Sequence, residues 1–540
     1  MRTRVVIVTA VAVTVAAGVG LGLWASGDGD HSGPTGAAAR QPSERGASAS
    51  ASASSPAPTP SPTRSYPLSR APRTIPAVAS HTAERGPGWR PRSGERVVVS
   101  DGELADEGRL VASELGLTYA GEKTDSRDGD LRLVLNDDAG GDPESYTMTV
   151  RGGRVTIGGP ADAGVFYGTR TLKQEVRGGG TAPEGVVKDA PAKPVRGFML
   201  DIARKHYTAG WIEDRVRELG DLKFNELGLH FSDDQGFRLE SRSHPEVVSD
   251  QHLTRAETER IIDLAAERHI AIVPEIDSPG HLGAVIAAHP SLQLLNASGV
   301  AARGAVDISQ DEAATIVDEL LDEYAELFPG DRWNLGGDEY RALMASNPEA
   351  SYPQLATAAR EAYGTGGTVA DLTTGWLNDR ADTVRKHGKT MRVWNDGFFT
   401  GTSVQPAKDL QVAYWTGKEI GARQPVEYLS AGRDLINYND LFLYYVLGQP
   451  NQFYYPTGQR IYEQWTPRVV RGTQAVDAKY DDQILGGSFA VWGDYPNAQT
   501  QDQVAAGIRL PLRAVVQKLW DADKPSLTWA EFKSLADRLG

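Results

Sequence analysis

No cysteine occurs in the 540 residues. That absence excludes disulfides, thiolate metal sites, a cysteine nucleophile and a lipid-modified N-terminal cysteine. It leaves the compartment open, because a large core can replace disulfides outside the cell. Basic charge is scarce: 56 Lys and Arg stand against 71 Asp and Glu, a formal net charge of −15. Such a chain repels phosphate backbones, which argues against nucleic acid as a general partner. What is present points elsewhere. The length exceeds one typical domain and allows sizeable cores. Eleven tryptophans are available; clustered in a cleft they stack on a ligand, and scattered they are core.

The chain opens with two arginines in the first four residues, and residues 5–24 are apolar or small throughout. That run has about the length that crosses a bilayer. Residues 1–26 therefore read as a signal peptide or an uncleaved signal anchor. Residues 27–72 read as a disordered linker, with 47–61 made only of Ala, Ser, Pro and Thr. Such a segment cannot bury enough apolar surface to offset its chain entropy, and its prolines stiffen it into a spacer. The expectation is a body secreted or displayed at the cell surface, attached to the membrane if the N-terminal segment stays uncleaved.

Residues 73–192 alternate short β-like runs with turns. Runs at 96–99 and 131–135 have strand composition, and 146–150 and 155–157 flank Gly152-Gly153 as a hairpin. A helical spacing follows over 161–176, with Val165, Leu172 and Val176 on one face. This is a small α+β domain without a catalytic constellation. Over residues 193–540 the rhythm changes to strand-like runs followed by amphipathic segments. The eight runs are 197–201, 226–231, 270–276, 332–335, 391–394, 410–415, 434–437 and 484–491. Helical segments include 254–268, 311–327 and 377–386. Eight repeats predict an α/β fold, a (β/α)8 TIM barrel. An open doubly wound sheet shares the alternation, but no Gly-rich phosphate loop follows the first run.

In a barrel, chemistry collects at the C-terminal strand ends. Those ends carry Asp201-Ile202-Ala203-Arg204, His230-Phe231-Ser232-Asp233, Glu275-Ile276-Asp277-Ser278-Pro279-Gly280-His281 and Gly336-Gly337-Asp338-Glu339. They continue with Trp394-Asn395-Asp396-Gly397, Tyr414-Trp415, Tyr438-Asn439-Asp440 and Trp492-Gly493-Asp494. Singly, an aspartate there is more often a helix cap and a tryptophan more often core. Together they place carboxylates and rings around one rim.

These pieces occur in the order found in family 20 glycoside hydrolases, the β-N-acetylhexosaminidases and lacto-N-biosidases, which the chain resembles from about residue 73 onward. The small domain likewise resembles the family's non-catalytic N-terminal domain. The resemblance implies an exo-acting, retaining hydrolase that releases terminal β-linked N-acetylhexosamine (GlcNAc or GalNAc) from an oligosaccharide or glycan. The substrate's own acetamido oxygen is the implied nucleophile, giving an oxazolinium intermediate, with no metal or organic cofactor. Glu339 would be the acid and then the base, with its pKa raised by burial and nearby negative charge. Asp338 would orient the acetamido group and stabilise the developing charge. The paired glycines would allow both neighbours to reach the sugar. By position, Asp233 and His281 resemble a dyad behind the acid, and Tyr438 the tyrosine that donates to the acetamido oxygen. Arg204, Asp440 and Asp494 match residues that fix sugar hydroxyls, and Trp394, Trp415 and Trp492 would wall the pocket.

The chain also departs from the pattern. Many relatives carry His where Asn334 stands, and Glu where Asp494 stands; the shorter acid could leave room for a larger group. Lacto-N-biosidase, releasing a Gal-GlcNAc disaccharide, and poly-N-acetylglucosamine hydrolase are therefore alternatives. A two-carboxylate barrel glycosidase and a catalytically silent glycan-binding protein also stay open, as does Asp338 acting only as a helix cap.

Overall fold

The structure, a computed structural model, describes residues 65–123, 125, 127–136, 141–417, 423–448, 454–521 and 525–540. The expected signal or anchor (1–26) and residues 27–64 of the expected linker lie outside the described residues. Pairing with the small domain starts before residue 73. Leu68 bridges Arg85, and the Ser69 amide donates to the Glu84 carbonyl at 3.0 Å. Composition marks a stretch that cannot fold alone, but backbone groups of a polar segment still pair with an exposed edge.

Seven strands form the sheet of the small domain: β1 (Ser80–Ala83), β2 (Arg96–Val99), β3 (Thr118–Glu122), β4 (Leu131–Leu135), β5 (Tyr146–Arg151), β6 (Arg154–Gly159) and β7 (Gly185–Asp189). Their order is β1-β7-β5-β6-β4-β2-β3. The β5–β6 hairpin turns on Gly152 and Gly153, at φ 60° and 77°. Two consecutive positive φ values are what a type I′ turn requires. The expected helix spans α2 (Asp162–Gly179), stopped by Gly180 in the left-handed region. Strands β1, β3 and β7 and helix α1 (Ala105–Leu115) were not anticipated. Polar β1 (Ser-His-Thr-Ala) has no apolar alternation and is held by its ladder with β7.

The eight expected runs become β8 (Val195–Asp201), β9 (Glu226–His230), β10 (Ala271–Glu275), β11 (Arg332–Asn334), β12 (Thr390–Trp394), β13 (Gln411–Tyr414), β14 (Leu435–Asn437) and β15 (Ile484–Trp492). Each is parallel to the next, and β15 pairs with both β14 and β8, closing the barrel and excluding the open sheet. Around it lie α3 (Ala209–Asp221), α4 (Arg255–Ala266), α5 (Asp311–Leu327), α6 (Val369–Arg385), α7 (Gln501–Trp520) and α8 (Trp529–Leu539). Thr208, Thr254, Thr368, Thr500 and Thr528 cap α3, α4, α6, α7 and α8 by accepting a first-turn amide. Each such cap contributes about 1 kcal/mol. Among the described residues no helix is long and apolar enough to cross a membrane.

Charged groups buried between small domain and barrel join them. Arg196 of β8 donates to both oxygens of Glu144, at 2.7 and 2.8 Å. The Asp189 carboxylate accepts from Tyr146 Oη at 2.6 Å and from Trp520 Nε1 at 2.9 Å, and lies 3.2 Å from Lys223 Nζ. The Lys223 and Asp189 side chains are fully buried. Burial pulls Lys223 down to about 8 against the opposing pull of Asp189. Asp189→Ala strands that ammonium and should cost about 3–5 kcal/mol, read as a fall in Tm and in the urea midpoint. The exposed Glu84–Arg151 pair provides the control: Glu84→Gln should leave Tm near wild type. Equal effects of the two substitutions would refute the domain-joining role of Asp189.

Candidate active site

The register of the first four barrel strands aligns Asp201, His230, Glu275 and Asn334 in one layer. In-register residues of parallel neighbours share a face, so these polar groups meet inside the barrel mouth. His230 bridges two acids: Nδ1 lies 2.9 Å from Glu275 Oε1, and Nε2 2.8 Å from Asp233 Oδ2. Glu275 also accepts from Trp394 Nε1 at 2.9 Å and from Asn334 Nδ2 at 2.8 Å. Asn334 in turn accepts the Gly336 amide at 3.1 Å. The Asn334 amide thus props Glu275 and the start of the next turn.

That turn is strained in a useful way. Gly336 and Gly337 have φ of 66° and 93°. A Cβ on Gly336 would stand 1.9 Å from Asp277 Oδ1, so no larger residue fits. The Gly337 amide donates to Asp277 Oδ1 at 2.7 Å. Glu339 itself lies in the left-handed region, φ 49°, its amide donating to Asp396 Oδ2 at 3.1 Å. Such a conformation is costly for glutamate and persists because the surroundings fix it. As a result, adjacent side chains reach one hollow: His281 Nε2 is 3.7 Å from an oxygen of Asp338 and 3.7 Å from one of Glu339. No helix begins at Asp338; the next one starts at Pro348 with Asn347 as its cap, so the cap reading fails.

The electrostatics follow from crowding acids in a buried space. Burial first, and the Asp338 charge second, push the Glu339 carboxyl above its ordinary value. Burial, then the neighbouring Asp338, also drive the Asp277 carboxyl far up. Asp396 rises to about 7 for the same two reasons. The cations counter this. Burial works against the His281 imidazolium, but Asp233 and Asp338 hold it up to about 9. Likewise Glu275 and Asp233 hold His230 up to about 10 despite its burial. His281 Nδ1 is 3.3 Å from Asp233 Oδ2, and Arg204 is 2.7 Å from that same oxygen. Arg204 also binds Asp201 at 3.0 Å.

Most of the expected site residues converge here. Asp233, His281, Asp338, Glu339 and Arg204 form the network just described. Trp492 lies under Arg204 and beside Trp394, with ring centroids 5.9 Å apart. Half-buried Trp415 donates to Asp396 Oδ1 at 2.9 Å and stacks on Tyr444 at 5.7 Å. Asp440 is buried, its amide bonded to the Trp415 carbonyl at 3.0 Å. Asp494 is exposed at the rim, its charge facing Arg204. Tyr438 sits deeper. Its ring packs edge-on against Trp394, 4.8 Å between centroids, and its hydroxyl bonds Arg392 and Ser488. The phenol that faces Asp338 and Asp440 is instead Tyr444.

Tyr444, Asp277, Glu275, His230 and Asp396 were not selected from the sequence as site residues. The last four stand inside motifs that were read, and alternation along a strand end could have flagged them. Tyr444 belongs to no motif; a short strand, Tyr444–Val446, pairs with the end of β15 and carries it to the rim. Ligand atoms of Asp277, His281 and Asp338 lie within 4.8 Å of one another, a spacing that suits a cation as well as a shared proton. A separate cleft of about 420 Å³ between small domain and barrel is lined by Arg170, Lys173, Asp221 and Arg513. There the charges are already matched: Arg170 and Lys173 pair with Asp221, and Arg513 with Glu218.

Residues 194–521 match the catalytic domain of glycosyl hydrolase family 20, and residues 71–190 match its domain 2. This chain belongs to glycosyl hydrolase family 20. A Bifidobacterium bifidum lacto-N-biosidase is 30% identical over 477 residues, 87% of this chain and 42% of that protein. A Cellulomonas fimi β-N-acetylhexosaminidase is 31% identical over 276 residues, 45% of this chain and 54% of that protein. Among solved structures, a variant of Streptomyces plicatus β-hexosaminidase in complex with product (GlcNAc) superposes with TM-score 0.68 at 25% identity, covering 88% of this chain and 95% of that one. The chain thus spans about two fifths of the lacto-N-biosidase's length.

His281 gives a signed pH test of this family 20 site. Its folded value of about 9 exceeds the unfolded value of about 6.5. Its stabilisation is therefore complete below about pH 6.5 and is lost as pH rises through about 9. Urea unfolding between those limits should show stability falling with pH, with a shallower slope in His281→Asn. Parallel slopes would mean that folding does not raise the proton affinity of His281.

Proposed function

We propose that the protein is an exo-acting glycoside hydrolase that removes terminal β-linked N-acetylhexosamine, GlcNAc or GalNAc, through an oxazolinium intermediate with retention. The observation that carries this reading is the pair of adjacent carboxyls on one strained turn, flanking a single imidazole nitrogen at 3.7 Å each. A two-carboxylate mechanism needs acids on opposite faces of the sugar. Asp338 and Glu339 instead leave one turn as neighbours, which suits one acid at the leaving oxygen and one at a nucleophile that the substrate itself brings.

In this reaction Glu339, its proton affinity raised by burial and by Asp338, gives its proton to the glycosidic oxygen as the bond to the anomeric carbon breaks. The acetamido oxygen bonds that carbon, and the positive charge spreads over the new ring. Asp338 accepts the acetamido N–H and faces that charge. Glu339 then takes a proton from water as the water opens the ring. Asp233 and His281 support Glu339 from behind, and Arg204, Asp440 and Asp494 hold sugar hydroxyls. Trp394, Trp415 and Trp492 enclose the acetamido group and the ring. For the hydroxyl that steadies the acetamido oxygen, the geometry favours Tyr444 over Tyr438, whose hydroxyl is engaged with Arg392 and Ser488.

A second reading is release of a Gal-GlcNAc disaccharide. It is favoured by the long alignment with the lacto-N-biosidase and by the exposed, shortened acid Asp494 at the rim. Product analysis on defined chitin, human-milk-type and host-glycan oligosaccharides separates the two: free GlcNAc or GalNAc supports the first, and intact disaccharide with little monosaccharide the second. Export and surface display are proposed from residues 1–26 and the Ala/Ser/Pro-rich spacer. N-terminal sequencing of protein recovered from medium and from membranes distinguishes cleavage from anchoring.

Glu339→Gln should abolish cleavage of poor leaving groups while sparing activated aryl N-acetyl-β-glucosaminides to a large degree; equal loss on both contradicts the acid role. Asp338→Asn should lower kcat more than it raises KM, because its interaction strengthens in the transition state. Tyr444→Phe should lower kcat by about 10²-fold, with Tyr438→Phe causing a smaller loss. The reverse order would return the role to Tyr438.

A further inference from the structure

A second set of convergent ligands lies outside the strand-end hollow. His244 precedes the short turn Pro245–Val247 in the loop after β9, and His289 ends the short helix Gly283–Ala288 after β10. Between them stands Glu246. Its Oε1 is 2.8 Å from His244 Nδ1 and 3.0 Å from His289 Nε2. The outer nitrogen of His244, Nε2, is 2.8 Å from Glu319 Oε2 on α5. His244 is only 8% exposed, whereas the Glu246 side chain is 43% exposed.

We propose that His244 Nδ1, Glu246 and His289 Nε2 bind a divalent cation of the zinc class, with Glu319 as the outer partner of His244. A neutral imidazole donates from one nitrogen only. With carboxylate oxygens against both nitrogens of His244, one contact sets lone pair against lone pair unless a positive charge lies between. The outer carboxylate selects the arrangement: it takes the Nε2 proton and turns the Nδ1 lone pair inward, as second-shell acids do for metal-bound histidines. The three ligand atoms lie within 4.8 Å of one another. A zinc ion with bonds of about 2.0–2.1 Å needs ligand atoms about 3.3 Å apart, so small side-chain movements suffice. Two imidazoles and one carboxylate form a donor set that suits zinc better than magnesium or calcium. The exposure of Glu246 leaves a fourth position to water.

The ion would tie together the loops that leave β9 and β10. Those loops also carry Asp233 and His281, and they already touch nearer the hollow, where the Gly283 amide donates to Asp234 Oδ1 at 3.2 Å. The cation acts as a structural brace and takes no part in the reaction proposed above.

The test uses tag-free full-length protein, stripped with chelator, dialysed and titrated with zinc chloride by calorimetry at neutral pH. The expected result is one tight ion per chain and a Tm that rises on adding zinc. His289→Ala should weaken binding at least about 100-fold and abolish the Tm rise, while Glu319→Gln weakens binding about 10–100-fold. Cobalt(II) in place of zinc should give the visible absorption of a tetrahedral N/O site in wild type and not in His289→Ala. An unchanged circular dichroism spectrum shows that the variants fold. Absence of bound zinc in the wild type overturns the proposal, and so does equal affinity in His289→Ala. A cluster satisfied by a proton alone would show itself as the first of these.

Discussion

Three cations at the barrel mouth, buried His230 with the partly buried Arg204 and His281, are what allow this site to exist. Asp201, Asp233, Glu275, Asp277 and Asp338 all project into one barrel mouth of a chain whose net charge is already −15. Unpaired, each carboxylate would be several kcal/mol too costly to bury. Asp233 shows how the balance is kept: one of its oxygens meets His230 at 2.8 Å, Arg204 at 2.7 Å and His281 at 3.3 Å. Burial alone would raise that acid, yet the neighbouring imidazolium and guanidinium hold it far below the ordinary range. With Asp233 fixed as an anion, His281 is fixed as a cation, and the acids beyond it feel a defined charge.

The fold delivers this balance through register and one turn. In-register pairing of β8, β9, β10 and β11 stacks Asp201, His230, Glu275 and Asn334 in a single layer. Deeper in the barrel, four residues before His230 on β9, Glu226 accepts from Arg392 with both oxygens, at 2.9 and 3.0 Å, and the pair closes the floor on which Tyr438 rests. Above the layer, the backbone of the Gly336–Glu339 turn leaves the strand path, because a continuing strand would send Asp338 and Glu339 to opposite faces. The strain is held by two backbone-to-acid bonds, Gly337 to Asp277 and Glu339 to Asp396. The same acids therefore shape the turn and set the proton affinity of the residues it presents.

Much of this was legible in the residues themselves. The eight strands fell within a few residues of their expected bounds, because a closed parallel barrel covers each strand on both faces, so short runs with apolar centres stand out between amphipathic helices. The glycines before Asp338 and Glu339 announced a departure from regular backbone. What was not legible depended on tertiary pairing. The polar strand β1 is held by its backbone ladder with β7, which itself pairs with β5. Tyr438 occupies a motif position but points down to Arg392, since alternation after Asn437, whose amide bonds the Pro467 and Val469 carbonyls outside the strand, turns its ring inward. Tyr444 reaches the rim through a three-residue strand beside β15, and local sequence carries no sign of that neighbour.

The charges also explain how one residue can serve as acid and then as base in the proposed reaction. In the free site Asp338 raises the proton affinity of Glu339, because an anion beside a buried carboxyl disfavours a second anion. When the oxazolinium forms, its positive charge lies against Asp338 and cancels that influence. The proton affinity of Glu339 must then fall as its proton is used, leaving a carboxylate fit to activate water. Collapse of the ring removes the positive charge and restores the protonated acid.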